Sequence, residues 1–399
     1  MGTYRNLLRV PGVLNVTASQ IFARLPLGIL SLAILMHVHR LTGSYALAGT
    51  VVAAVGAGEA VAMPLTSRLA GRLGVARTLV TAAVVNAVGT LWLALAGGSA
   101  LPLMVLGVIV GASIPPLMPV VRALYPRMVP EDEVRTLFAL DTTAQELIWV
   151  IGPVAATVLA SSISTLFPLI LCAAVTLVGT TWFLLGSRRL HPEKAVSESR
   201  FGRVLLHRAV ILAMVSSLVL VGSFTALEVG IIAALGKDGF TAGAAIASAS
   251  VGSLLGGLVF GHRRLGLSGV VAALSAVAVG VALYGLADGL ALQFAALFVS
   301  GVGFAPAMSA LYLMVSREVG QHMATEAFGW LSSAAIVGGA IGTAVAGVAT
   351  DSYGPRGAVV VSAAMTVLAA ISPLVARAFG PLPGLARVPA PSQPTPCAS

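Results

Sequence analysis

The chain has 399 residues, of which 58% are hydrophobic and 9% charged, and a formal net charge of +9. Its mean hydropathy is +0.99, whereas soluble domains carry roughly 25% charged residues, so the composition excludes a soluble enzyme or a soluble nucleic-acid-binding domain. It reads instead as an all-α integral membrane protein, with basic residues placed in short loops between apolar segments, where they report topology.

A membrane-spanning helix needs about 20 predominantly apolar residues. On that measure the chain holds twelve segments: Gly12–Val38, Tyr45–Leu69, Thr78–Leu95, Leu101–Leu124, Leu137–Ala160, Thr165–Leu185, Ala209–Leu235, Ala242–Phe260, Leu267–Leu286, Leu290–Val315, Ala324–Thr350 and Ala358–Phe379. The opening MGTYRNLLRV precedes the first segment without a small-residue cleavage site, which predicts a retained first helix. Most linkers are short. The exception is polar, basic and central, and it divides the chain into an N-terminal six-helix bundle (1–186), a cytoplasmic linker (187–208) and a C-terminal six-helix bundle (209–379). Residues 380–399 form a Pro-rich tail without an apolar face, expected to be disordered and cytoplasmic.

Charge supports this count. With both termini cytoplasmic, only Arg40, Lys237 and Arg356 of the 23 basic residues fall outside, and Arg24 lies within the first segment. The remaining basic residues, Arg122 and Arg127 among them, fall on the cytoplasmic side, and one helix more or fewer would scramble that asymmetry.

The stretch from Gly111 to Pro153 recurs 190 residues later in weaker form. Gly111–Met118 (GASIPPLM) aligns with Gly301–Met308 (GVGFAPAM), Arg127 with Arg317, and Gly152 with Gly342. The two halves are therefore similar and run in the same order, and Pro115-Pro116 predicts a break in the fourth helix.

Charges within apolar sequence mark candidate functional positions. In the first helix Thr17, Gln20, Arg24 and Ser31 draw one polar stripe beside Pro26. Arg24 is either a pathway residue or a packing charge paired with a neighbouring helix. Glu146 lies on the fifth helix beyond Asp141, with Thr142, Trp149 and Pro153 near its face, and Glu228 lies on the seventh near Ser217, Phe224 and Thr225. Glu146, Glu228 and Asp141 are candidate proton carriers, tuned by Arg24; the alternative for Glu146 is a structural pair with Arg24. Glu59 sits in a glycine-rich context suited to helix packing. Met118, Met308, Phe304, Tyr312, Trp149 and Phe224 are core residues or, with Gln20 and Arg24, the lining of a cavity for a partly hydrophobic ligand.

Signatures of catalysis are lacking: there is no HExxH, no nucleotide-binding lysine motif, no GxGxxG after a strand and no metal-spaced Cys/His set. No cofactor and no metal is expected. The six histidines fall near helix ends or in loops and read as solvated. Cys172 and Cys397 make no disulfide framework.

Twelve helices in two parallel repeats around a basic central loop resemble the major facilitator superfamily, over the chain from about Val10 to Phe379. The loop motif of that family, G-x-L-x-D-R-x-G-R-[RK], is matched between the second and third helices at Leu69, Arg72 and Gly74. Gly71 replaces its aspartate and Ser67 its first glycine. Glu326, opening the eleventh helix, is a substitute acid able to pair with Arg68 or Arg72, and these three are the candidate gating residues. Gly152-Pro153-Val154-Ala155-Ala156 is similar to the end of the antiporter motif on the fifth helix. The family's arginine on the fourth helix would fall at Gly107 and is missing there, so Arg24 is expected to take over its task.

The resemblance implies a secondary transporter working by alternating access between two rocking halves. With no nucleotide site, the expected drive is a proton gradient and the expected activity is export of a small, partly hydrophobic organic molecule. The alternatives are a proton-coupled importer of an organic anion and a non-transporting receptor or scaffold. The expected partners are a small-molecule substrate, protons and the lipid bilayer of the cell membrane, with no nucleic acid; the protein is expected to be a monomer.

Overall fold

The computed structural model describes residues 10–188, 201–235, 239–260 and 265–378. These form thirteen α-helices: α1 (Val13–Thr42), α2 (Tyr45–Leu73), α3 (Val75–Leu95), α4 (Ala100–Ala112), α5 (Leu117–Met128), α6 (Glu131–Ser162), α7 (Phe167–Ser187), α8 (Arg208–Leu235), α9 (Gly239–Phe260), α10 (Leu267–Leu286), α11 (Leu290–Glu318), α12 (Gln321–Tyr353) and α13 (Pro355–Ala378). A short 3-10 turn, Arg203–Leu206, precedes α8. Taken together, α4 and α5 make one span, so twelve segments are long and apolar enough to cross a membrane. The described residues contain no strand.

The predicted break is present in the fourth span and absent from its counterpart. Ser113 closes α4, Pro115 and Pro116 leave the helical path, and α5 restarts at Leu117. In α11 the aligned stretch has one proline, Pro306, and runs through it as continuous helix. One proline removes a single backbone donor, which neighbouring structure can absorb, whereas two in succession remove two.

The repeat in sequence is a repeat in packing. Gly111 on α4 lies so close to Val55 of α2 that a Cβ would overlap its carbonyl, and Gly301 on α11 meets Ala249 of α9 in the same way. Gly152 on α6 backs onto Gly28 of α1, and its partner in the second half, Gly342 on α12, backs onto Gly222 of α8. Apolar lipid gives helices no reason to associate by burial alone, so close approach at small residues carries the packing. The outward surface is correspondingly greasy, with Val61, Leu95, Leu101, Val348 and Val360 among its exposed apolar side chains.

The halves meet along a few helices. In the first half α2 and α5 pack on α12, and α6 packs on α9 and α11. This seam runs inward from the face at which α1 begins and α13 ends, called the terminal face below. Tyr125, Phe138, Tyr312 and Phe328, from α5, α6, α11 and α12, fill it with buried rings; Phe138 stands 5.0 Å from Tyr125, 6.2 Å from Tyr312 and 5.9 Å from Phe328.

Several expectations fall outside the described residues: the tail at 380–399, most of the linker (189–200), and Arg5, Arg9, Lys237, Arg263 and Arg264. His191, His262 and Cys397 lie there too. His37 is described, and it corrects the reading of the histidines as solvated. It is 3% exposed, with one ring nitrogen 3.0 Å from Thr165 Oγ1 and the other 3.0 Å from the Ala94 carbonyl.

If the glycine contacts set the helix spacing, Gly342→Val should lower the stability of the purified protein by about 1–3 kcal/mol, since overpacking forces the backbones apart. Gly49→Ala, where a Cβ meets nothing within 4 Å, should cost nothing. Thermal unfolding of both variants in one detergent checks this; equal losses would contradict it.

Candidate functional site

Helical spacing places Gln20 and Arg24 one turn apart on α1, and Asp141 and Gln145 one turn apart on α6. The two pairs face each other in the interior. Asp141 Oδ1 accepts from Arg24 Nη1 at 2.5 Å and from Gln20 Nε2 at 3.2 Å, and its Oδ2 accepts from Arg122 Nε at 3.0 Å. Gln145 Oε1 accepts from Arg24 Nη2 at 2.6 Å and from Arg122 Nη2 at 3.3 Å. Arg24 Nη1 also donates to Gln20 Oε1 at 2.7 Å.

Arg24, Arg122 and Asp141 are at most 2% exposed, so this is a buried cluster of two cations and one anion. The surplus positive charge finds an aromatic face: the Arg122 guanidinium carbon lies 3.7 Å from the ring centroid of Tyr312, on the other half. A desolvated cation over an aromatic ring gains about 2 kcal/mol.

One expectation is corrected here. Arg24 pairs with Asp141, not with Glu146, because Asp141 lies on the face of α6 turned toward α1. Arg122, which the sequence placed near the cytoplasmic end of the segment Leu101–Leu124, is buried. The run Leu117–Met128 continues the fourth span beyond the proline break and carries it into the core, so that span does hold a buried arginine, although not at Gly107.

Glu146 occupies a different face of α6, toward the second half. It accepts from Ser253 Oγ on α9 at 3.1 Å. One turn earlier, Thr142 Oγ1 accepts from Ser309 Oγ on α11 at 3.1 Å. Glu228 on α8 is half-buried. Asp141 therefore has both oxygens committed to cations, whereas Glu146 is held by one neutral hydroxyl.

The other candidate residues divide between regions. Phe224 on α8 and Phe304 on α11 lie with ring centroids 5.2 Å apart, within the second half. Tyr312 and Met308 are buried in the seam. Met118 lines a cleft in the first half together with Arg24 and Glu59. Trp149 stays on the Thr142 side of α6 but is 51% exposed, and nothing ties it to the charged cluster.

At the terminal face Arg68 Nη1 donates to Glu326 Oε2 at 3.1 Å, joining α2 to α12. Arg72 is exposed and takes no part. The other Glu326 oxygen accepts from the backbone N–H of Gly202 at 2.8 Å. The Arg68 guanidinium lies 5.4 Å from the centroid of the Phe201 ring, which in turn packs at 5.7 Å on Trp330. The end of the linker is thus seated on the same acid that joins the two halves. Deeper in, Ser333 Oγ donates to the Ala60 carbonyl.

Arg122, Gln145, Ser253, Phe201 and Gly202 were not singled out from the sequence. A signal for Arg122 existed: it is the single charge in the run Leu117–Tyr125. Gln145 had one too, standing one turn beyond Asp141. Ser253 had none, because serine is common in apolar helices. Among the described residues no group of His, Cys, Asp and Glu is arranged to hold a metal ion.

A body of twelve spans, with charges buried at its centre and halves joined along one seam, is a multi-pass membrane protein with a transporter fold. The family model described as the Major Facilitator Superfamily matches residues 16–335 and, in a second match, 209–398; the chain belongs to that superfamily. Solved structures agree on the fold. A human organic anion transporter, MFSD10 (TETRAN), matches with a TM-score of 0.74 at 15% identity, covering 91% of this chain and 99% of that one. A bacterial homologue of the iron transporter ferroportin in an outward-facing state matches at 0.73 and 16%, covering 91% and 98%. The E. coli fucose:proton symporter FucP matches at 0.69 and 17%, covering 93% and 99%. No curated protein matches in sequence.

Removing one member of a buried charge cluster strands the others, at about 3–5 kcal/mol. Asp141→Asn should therefore unfold at markedly lower temperature than the unsubstituted protein, and adding Arg122→Met, which removes the surplus cation, should restore part of the loss. An unchanged unfolding midpoint for Asp141→Asn would show that the cluster carries no such weight.

Proposed function

We propose that this protein is a secondary transporter of the cell membrane that exports a small, partly hydrophobic organic molecule in exchange for protons, by alternating access between its two halves. The observation that carries the reading is Glu146: a buried carboxylate placed on the seam, whose hydrogen-bond partner among the described residues, Ser253, belongs to the opposite half. Adding or removing a proton there changes the strength of a bond between the halves, which is the coupling a proton-driven carrier needs. Glu228 is the second carrier. Asp141 is reassigned as a fixed counter-ion, because both its oxygens are committed within one half.

The basic residues favour a cytoplasmic terminal face. With that face closed by Arg68–Glu326 and the ring cluster, the conformation is outward-facing, with Arg68, Glu326 and the seated end of the linker acting as the inner gate. Apolar and aromatic groups such as Phe224, Phe304, Met118 and Met308 suit a partly hydrophobic substrate better than a sugar, which needs many hydrogen-bonding side chains.

One observation favours a second reading, uptake of an organic anion: the central cluster holds two arginines against one aspartate. Proton release on substrate binding supports the exporter, and anion affinity lost in Arg24→Gln supports the importer.

The test uses proteoliposomes with an imposed proton gradient and a panel of lipophilic cations, neutral amphiphiles and organic anions. Glu146→Gln should fold normally yet lose substrate-driven proton movement by about tenfold or more, an effect in the range of general acid–base contributions. Undiminished proton movement in that variant would remove Glu146 from the mechanism.

A further inference from the structure

Two ion pairs that join the halves at the terminal face differ in kind. On one edge Arg317 Nη2 lies 3.5 Å from Glu131 Oε1, and the Glu131 side chain is 80% exposed; a pair so open to solvent contributes little. On the other edge Arg68 meets Glu326, with both side chains largely covered. The repeat does not reproduce this second contact. At the positions 190 residues from Arg68 and Glu326 stand Leu258 and Thr136, neither of which carries a charge.

The covered pair is also the one that the end of the linker reaches. Gly202 has a φ of +80°, a left-handed conformation that glycine adopts without strain, and its N–H donates to Glu326 Oε1 at 2.8 Å. The 3-10 turn that follows, Arg203–Leu206, packs on α8 and α12, and its Val204 is buried in the apolar core. Phe201 lays its ring on Trp330 of α12. These contacts are all with the second half, so the segment is a fixed part of that half. From the first half Arg68 comes to it, donating to Glu326 Oε2 with its guanidinium 5.4 Å from the centroid of the Phe201 ring. A carboxylate held at one oxygen by a backbone donor presents the other in a set direction, and the ring adds a flat face that suits a guanidinium.

We propose that Phe201–Leu206 is a strap that keeps the terminal face closed by fixing Glu326 for Arg68. Phe201 and Gly202 are positioning residues that act through Glu326, and the face opens when Arg68 leaves this seat while the strap stays with the second half. The linker is then a control element on the gate as well as a tether. The inference rests on the reading of the protein as an alternating-access transporter and names the element that sets one of its steps.

The reporter is Met128, buried where α5 ends. In the full-length protein lacking Cys172 and Cys397, in lipid nanodiscs, the rate at which Met128→Cys reacts with a water-soluble maleimide measures opening. Phe201→Ala should raise that rate about threefold or more, the size of a cation–π contact at a partly exposed site, and Phe201→Tyr, which keeps the ring, should not. In a Glu326→Ala background, where the strap has no acid to orient, Phe201→Ala should add little. Phe201 is 44% exposed, so the unfolding midpoint of Phe201→Ala should match that of the unsubstituted protein. An unchanged labelling rate in Phe201→Ala, the same increase from Phe201→Tyr, or a full effect of Phe201→Ala without Glu326 would overturn the proposal.

The strap and the transport reading fail in different ways. If substrate and Glu326→Lys both speed the labelling of Met128→Cys and Phe201→Ala does not, the strap alone is wrong. If neither substrate nor any of these substitutions changes the rate, the terminal face does not open, and alternating access there falls too.

Discussion

The structure turns on one buried anion. Asp141 is the only carboxylate in contact with Arg24 and Arg122 among the described residues, and through them it ties α1, α5 and α6 into a single unit. Its bonds are short, directional and all within the first half. Across the seam the same cluster presents only the Arg122 guanidinium, stacked on the Tyr312 ring. An ion pair fixes geometry, whereas a cation over a ring face tolerates sliding and separation. Strong contacts inside a half and sparse ones between halves are what a body that rocks as two rigid parts requires. Other polar contacts across the seam are individual bonds between pairs of side chains or to one carbonyl, among them Glu146 with Ser253, Thr142 with Ser309, Ser333 with the Ala60 carbonyl, Arg68 with Glu326 and Arg317 with Glu131.

That division also separates the carboxylates by role. Asp141 serves cohesion, since a change in its charge would disturb three helices at once. Glu146 is placed where a change in charge alters one bond to the opposite half. Two acids five residues apart on one helix thus point to different partners, because that separation turns them to different faces. Glu59, on α2, contributes to neither set.

Much of this was legible in the sequence. Twelve apolar segments and the skew of basic residues gave the fold, and the 190-residue repeat pointed to glycines that turn out to make the same close contacts in both halves. Arg24, Asp141 and Gln20 were visible as polar residues at helical spacing. Pairing was harder. Arg24 had two candidate acids on the fifth helix, and choosing between Asp141 and Glu146 depends on how that helix is rotated, which a single sequence does not encode. Arg122 was hidden by its place near the end of the segment Leu101–Leu124: with Arg127 five residues on, it counted simply as one of the cytoplasmic basic residues. Only the resumption of helix at Leu117 places it in the core. The seat of the linker on Glu326 uses a backbone N–H at Gly202, and backbone donors leave no mark in residue type.

The account's central claim is that two rigid halves part at the terminal face when the seam bonds weaken. Distances between spin labels at positions 77 and 322, both exposed and on opposite halves of that face, measure this directly in nanodiscs by pulsed electron–electron resonance. The account predicts one short distance for the closed face, a second and longer population whose weight changes with pH and substrate, and a shift toward that population when Glu326→Lys removes the Arg68 contact. A single distance unmoved by pH, by substrate and by that substitution would contradict it.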